Sequence, residues 1–237
     1  MFIEYYIMGI ILVPAIIFAA WAQAKVHSTY SRYSNVASRK GTTAVELLEH
    51  LKRVCYLENI TIKKVKGNLT DHYNSHNKEI ALSEKVHDSA SIAALGVACH
   101  EFGHALQDKD GYVPLKLRQI IIPVSNVAST ILMPLIIIGL VLGFAVEGQG
   151  LLSDIFLWTG IVLFGSATLA NLVTLPVEYN ASNRAIKVLR DSVTLEEDEL
   201  VMSKKVLNAA ALTYVAALLI SLLNLIRFLL VVFMHRR

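Results

Sequence analysis

Residues 5–24, 119–146, 155–177 and 206–226 of this chain contain no Asp, Glu, Lys or Arg. Each stretch reaches the roughly 20 residues that a helix needs to cross the hydrocarbon of a bilayer. In that medium the backbone must satisfy its own hydrogen bonds, which restricts a lone segment to a helix. Four such stretches are more than a soluble fold of 237 residues can enclose. The chain is also 54% hydrophobic and only 17% charged, with a mean hydropathy of +0.52. That balance is too apolar for an ordinary soluble domain. The expected fold is a mainly α integral membrane protein with about four transmembrane helices. The fourth stretch carries Asn208, Thr213 and Asn224, and Arg227 follows it. That arginine must snorkel to an interface or pair within the bundle.

The first stretch has no basic residue before it, although Ala22-Gln23-Ala24 resembles a signal-peptidase site. It reads as an uncleaved anchor over residues 1–24. Lys/Arg-rich loops stay cytoplasmic, which puts residues 25–118 inside, with 14 basic residues against 10 acidic ones. Two spans over 119–177 then enclose residues 147–154, a loop with two acids and no base, expected outside. Residues 178–205 return inside, and residues 206–237 form the last span. His235-Arg236-Arg237 would then lie outside, against the rule. The net charge of +3 forms no basic stripe interleaved with aromatics, so nucleic acid is excluded as a partner. Cys55 and Cys99 are not a disulfide framework, and Cys99 reads as a small buried thiol.

Inside the 25–118 block lies His100-Glu101-Phe102-Gly103-His104. On a helix, residues four apart share one face, so both imidazoles can bind a single metal ion. Glu101 can then reach a water held at an open coordination position. In this composition the pattern arises by chance about 1% of the time. The chemistry it points to is zinc-assisted amide hydrolysis with Glu101 as general base.

Local signals frame the motif as a cytoplasmic α+β domain. Thr42 or Thr43 caps a helix whose apolar residues run from Ala44 to Val54, with Glu46 in its first turn. Ile60, Ile62 and Val65 alternate as in a strand. Residues 68–73 and 78–82 flank Asn74-Ser75-His76-Asn77, which predicts a β-hairpin. Ser83 or Asp88/Ser89 caps the motif helix, and Asp108-Lys109-Asp110-Gly111 ends it. The second hairpin strand, with Ile80, Ala81 and Leu82, is expected to be a sheet edge that binds an extended peptide substrate.

A catalytic zinc normally has three protein ligands. Glu178 is the first acid after the third apolar stretch and can complete the set, while His72, His76 and His87 compete for the position. Pro176 breaks the preceding helix or starts a new one. Arg184, Tyr179 and His72 are candidate donors to the oxyanion of a tetrahedral transition state. Arg184 is preferred among them, with a structural pairing to an acid as its alternative.

Asp71-His72-Tyr73, Ile80-Ala81-Leu82-Ser83, His100–Gln107 and the run Glu178-Tyr179-Asn180-Ala181-Ser182-Asn183-Arg184-Ala185 together resemble the YugP-type zinc-dependent membrane proteases of bacteria. More distantly the chain is similar to the HtpX and CAAX-prenyl-protease metallopeptidases. The resemblance implies a zincin-like domain in a bacterial cell membrane, with one Zn2+ per chain held by His100, His104 and Glu178. It also implies that Glu101 is the base. Those distant relatives carry Glu-x-x-x-Asp where this chain has Ser182, so the aspartate's role does not transfer.

The partners expected are a protein or peptide substrate, the lipid bilayer and other membrane proteins. A catalytically silent scaffold would have been favoured by loss of Glu101 or a histidine, and all are present. An intramembrane protease would need an acid in a later span, and a transporter would need paired intramembrane charges. The apolar stretches supply neither.

Overall fold

The computed structural model describes residues 9–145 and 151–235. A 3-10 turn at Gly9–Leu12 leads into α1 (Val13–Ser34). There follow α2 (Ala44–Val54), β1 (Thr61–Val65), β2 (His72–Asn74), β3 (Glu79–Ser83) and the single turn α3 (Glu84–His87). The chain continues as α4 (Ile92–Lys109), α5 (Val113–Ala145), α6 (Leu151–Asp191) and α7 (Glu197–His235). It divides into two compact units. One comprises Met1–Ala20, Lys116–Leu175 and Tyr214–Arg237; the other comprises Trp21–Leu115 and Pro176–Thr213.

The first unit is apolar on its outside. Ile10, Ile16, Val124, Val127, Val162 and Leu172 are each more than half exposed, which in water would be an aggregation liability. Several of its hydroxyls turn back onto their own helices, as Thr174 Oγ1 does to the Ala170 carbonyl at 2.8 Å. Among the described residues, three helical segments are long and apolar enough to cross a membrane: Gly9–Ser34, Trp158–Asp191 and Glu197–Leu230. The expected span at 119–146 coincides with helix α5, except that Val146 lies outside the described residues. Of the expected outside loop at 147–154, residues 147–150 also lie outside them, and residues 151–154 begin helix α6.

The second unit is built from local signals that mostly act as the sequence implies. Thr43 caps α2 with a full capping box: its N–H donates to Glu46 Oε2 at 2.9 Å, and its Oγ1 accepts from Glu46 N at 3.4 Å. Ala44, Leu47, Leu48 and Leu51 then form the buried stripe of that helix. At the start of α7, Glu197, Asp198 and Glu199 occupy the first turn, where the helix dipole favours negative charge. Arg39 adds a fork to Asp198, with contacts of 2.7 and 2.6 Å.

The sheet differs from expectation in one respect that matters for function. Its order is β1-β3-β2, with β1 parallel and β2 antiparallel to β3. The strand expected at an edge is therefore central, and Ile80, Ala81 and Leu82 are fully buried. A substrate cannot add to a strand already paired on both sides, so substrate pairing at Ile80, Ala81 and Leu82 is corrected. The continuous apolar run, rather than alternation, is the mark of a strand covered on both faces.

The hairpin is also shorter than expected. Gly67 and Leu69 take positive φ values of 119° and 56°, so pairing begins only at His72. Asp71 accepts from Ser83 N at 2.7 Å and from Ser83 Oγ at 3.1 Å. That use of its hydroxyl leaves Ser83 without a capping bond to α3. The motif helix is capped instead by Ser91, whose Oγ accepts from Ala94 N at 3.2 Å.

Helix α4 is buried almost all round, from Ile92 to Gln107. Burial of Ile92, Leu95 and Phe102 contributes roughly 1.5–3 kcal/mol apiece. Two glycines let neighbours come close. A Cβ on Gly96 would stand 2.5 Å from Ser203 Oγ, and one on Gly103 would stand 2.5 Å from the Ala181 carbonyl oxygen. The second contact is helix backbone against helix backbone and has no flexible group to yield. Helix α6 itself runs unbroken through Pro176, which lacks only the one N–H that would have reached back a turn.

Gly103→Ala should thus push α6 away from α4, cost about 1–3 kcal/mol and weaken metal uptake. Thermal melts and metal titration in detergent would show this, and an unchanged melting temperature would refute the close approach. Ala81→Pro should abolish cooperative folding, because it removes an N–H from the central strand. A folded Ala81→Pro protein would put β3 back at an edge.

Candidate metal centre

Helix α4 places His100 and His104 one turn apart, as the spacing requires, with ring centroids 4.8 Å apart and nearly perpendicular. Helix α6, held close at Gly103, brings Glu178 across them. Its Oε2 lies 3.1 Å from His100 Nε2 and its Oε1 lies 3.7 Å from His104 Nε2. The Glu178 side chain is only 2% exposed, against 14% and 9% for the two histidines.

These three residues form a group able to hold one metal ion, with potential ligand atoms all within 4.8 Å of one another. The donor chemistry fits zinc, which takes imidazole nitrogen and carboxylate oxygen in tetrahedral sites. At bond lengths of about 2.0–2.1 Å, tetrahedral ligands stand roughly 3.3 Å apart, close to the two nitrogen–oxygen separations seen here. At 3.1 Å a hydrogen stands between His100 Nε2 and Glu178 Oε2. A bound cation would take its place, because metal ligands must be deprotonated.

Burial alone would push His104 down. Its hydrogen bond to Glu178, the charges of Glu101 and Glu178 and a hydrogen bond to Gln107 outweigh it and hold the imidazole above its ordinary value. The cavity around His104 thus favours positive charge.

The remaining ring nitrogens are also engaged. His100 Nδ1 lies 3.1 Å from Ser182 Oγ, and His104 Nδ1 lies 2.9 Å from Gln107 Oε1. Gln107 is fully buried and its Nε2 donates to the Val177 carbonyl at 2.8 Å and to Asn180 Oδ1 at 3.0 Å. Arg184 Nε donates to the same Asn180 oxygen at 2.8 Å, and Arg184 Nη1 pairs with Asp110 Oδ2 at 2.5 Å.

Glu101 is 8% exposed. Among the described residues, no hydrogen bond or ion pair engages its carboxylate, although its charge acts on His104. Cys99 beside the motif is fully buried, burial pushes its thiol well up, and it is not part of the metal-capable group.

The other candidates fall elsewhere. His72 Nδ1 lies 2.9 Å from the Thr70 carbonyl, His76 sits in the hairpin turn and His87 Nδ1 faces Asp88 at 2.6 Å. None of the three belongs to the metal-capable group. Tyr179 is 42% exposed. Arg184 shows the pairing with an acid that was its alternative. Ser182, Gln107 and Asn180 were not singled out from sequence as partners of the ligands. Their signal was helical spacing: Ser182 is four residues from Glu178, and Gln107 is three from His104.

Comparison with known proteins agrees with this geometry. The family described as "Putative neutral zinc metallopeptidase" matches residues 8–233. The chain is 41% identical over 211 residues to "Putative membrane protease YugP" of Bacillus subtilis (strain 168), covering 89% of this chain and 90% of the relative. No solved structure matches. A buried His, His, Glu group on an H-E-x-x-H helix, in a chain matched along nearly its whole length, leads to one assignment: the protein belongs to the neutral zinc metallopeptidase family of membrane proteins.

Proposed function

We propose that this chain is a multi-pass membrane zinc endopeptidase that hydrolyses peptide bonds on the cytoplasmic side of a bacterial cell membrane. The observation that carries the reading is the convergence of Glu178 on His100 and His104, with the carboxylate of Glu101 left unpaired on the same helix. Its relative's description as a membrane protease and the three apolar helices support the setting. The charge asymmetry of the loops supports the orientation, with four spans and the 25–118 and 178–205 segments inside.

His100, His104 and Glu178 would hold one zinc ion. Zinc there supplies a Lewis acid and lowers the pKa of water towards neutrality. Glu101 then has the role of moving protons: it takes one from the attacking water and returns it to the departing amine, turning a poor leaving group into a good one. Its lack of a partner in the structure keeps its oxygens free for this. The low exposure of Glu178 and His104 limits competition from bulk water and strengthens the electrostatic interactions within the site.

Glu101→Gln should therefore keep zinc at wild-type stoichiometry and lose casein hydrolysis by at least two orders of magnitude. His100→Ala, His104→Ala and Glu178→Ala should each lose both zinc and activity. Metal analysis of purified protein beside a casein assay separates the two roles. Full zinc content in Glu178→Ala would remove that residue from the ligand set. Full activity in Glu101→Gln would remove the general base.

A further inference from the structure

We infer that Asp110, Arg184, Asn180 and Gln107 form a hydrogen-bond relay of fixed polarity that sets the tautomer of His104, leaving its Nε2 lone pair for the metal. The inference rests on His104 being a ligand. It gives Arg184 a positioning role instead of direct contact with the reacting atoms.

The argument follows from donor and acceptor chemistry alone. An imidazole offers one N–H and one lone pair when neutral, and what its second nitrogen bonds to decides which is which. Amide side chains are ambiguous in the same way, because either end can face a partner. A guanidinium is not ambiguous, since it only donates.

Arg184 Nε lies 2.8 Å from the Asn180 side-chain amide, so the atom facing it must be the oxygen. That oxygen lies 3.0 Å from the Gln107 amide, which must therefore present its nitrogen. The Val177 carbonyl, 2.8 Å away, imposes the same choice independently. With its nitrogen committed twice, Gln107 turns its oxygen to His104 Nδ1 at 2.9 Å. An oxygen can only accept, so Nδ1 must carry the proton and Nε2 is left as the ligand atom. Asp110 holds the far end of the chain through Arg184 Nη1 at 2.5 Å. His100 has no such control, because Ser182 Oγ at 3.1 Å can donate or accept.

The relay also locks two helices together. Gln107 and Asp110 flank the end of α4, whereas Val177, Asn180 and Arg184 lie on α6. One network thus fixes both a ligand's proton and the register between its helix and the helix that carries Glu178. Partners of metal-bound histidines typically change metal affinity by 10–100-fold when lost.

The test uses the full chain in detergent micelles, zinc-loaded and labelled with 15N-histidine. Zinc affinity is measured by competition with a chromophoric chelator. Wild type should show His104 with a protonated Nδ1 and a metal-bound Nε2. Gln107→Leu, which removes the acceptor, should lose the exchange protection of that Nδ1–H and bind zinc roughly 10–100-fold more weakly. Asn180→Leu, with Gln107 still held by the Val177 carbonyl, should keep the tautomer and weaken zinc binding by less. Asn180→Asp keeps an acceptor for both Arg184 and Gln107, and should retain the wild-type signature and affinity. Arg184→Met, at a position with its side chain only 26% exposed but pairing outward to Asp110, should leave the His104 tautomer to the Val177–Gln107 contact and weaken zinc binding to about the level of Asn180→Leu, as the Asn180 amide becomes free to flip.

Wild-type affinity in Gln107→Leu or in Asn180→Leu would overturn the relay, as would an Asn180→Asp protein as weak as Asn180→Leu. Wild-type affinity in Arg184→Met would do the same. Wild-type protein that takes up no zinc would overturn the metal assignment beneath it.

Discussion

The approach of α6 to α4 at Gly103 is the constraint on which the metal centre depends. The two histidines come from one helix and need only its 3.6-residue period to share a face. The third donor comes from a segment 78 residues away, and nothing in local structure brings it there. What does so is a helix crossing without a side chain between the backbones: any Cβ at 103 would meet the Ala181 carbonyl at 2.5 Å. Glu178 and Ser182 lie one turn apart on the approaching helix, and His100 receives a contact from each. The glycine inside the motif thus fixes where the carboxylate sits.

Burying such a group costs free energy, and the structure shows how the cost is met. Glu178, His104 and Gln107 would each be heavily penalised if left unpaired in an apolar interior. Each is paired, and the pairing extends outward through Asn180 and Arg184 to Asp110, whose side chain is 52% exposed. The polar network therefore ends at solvent. Glu101 stands outside it, nearly buried and, among the described residues, without a hydrogen-bond partner. An unpaired carboxylate beside the two histidines is costly for the fold and, on the proposed mechanism, available for proton transfer.

Much of this was legible in the sequence because it depends on local periodicity. The H-E-x-x-H spacing, the Thr43 capping box and the charge-free stretches each act within one element. Glu178 could be reached by position, as the first acid after an apolar run. The sheet was harder. β1 and β3 pair in parallel with β2 lying on the other side of β3, and no short-range signal distinguishes that order from a simple hairpin with a free edge. The relay was harder still. Gln107 and Ser182 are ordinary polar residues until the α4–α6 register is known, and Ser182 stands where distant relatives carry an acid. Arg184 reads from sequence as an oxyanion donor or the partner of an acid, but its contacts depend on Asn180, which only the crossing brings beside Gln107.

Zinc K-edge X-ray absorption on the purified, full-length protein tests the central claim most directly. The account predicts a single zinc per chain in a shell of nitrogen and oxygen only, with the multiple-scattering pattern of two imidazoles and one carboxylate. A shell containing sulfur, or one with three or more imidazoles, would contradict it, because the ligands would then not be His100, His104 and Glu178.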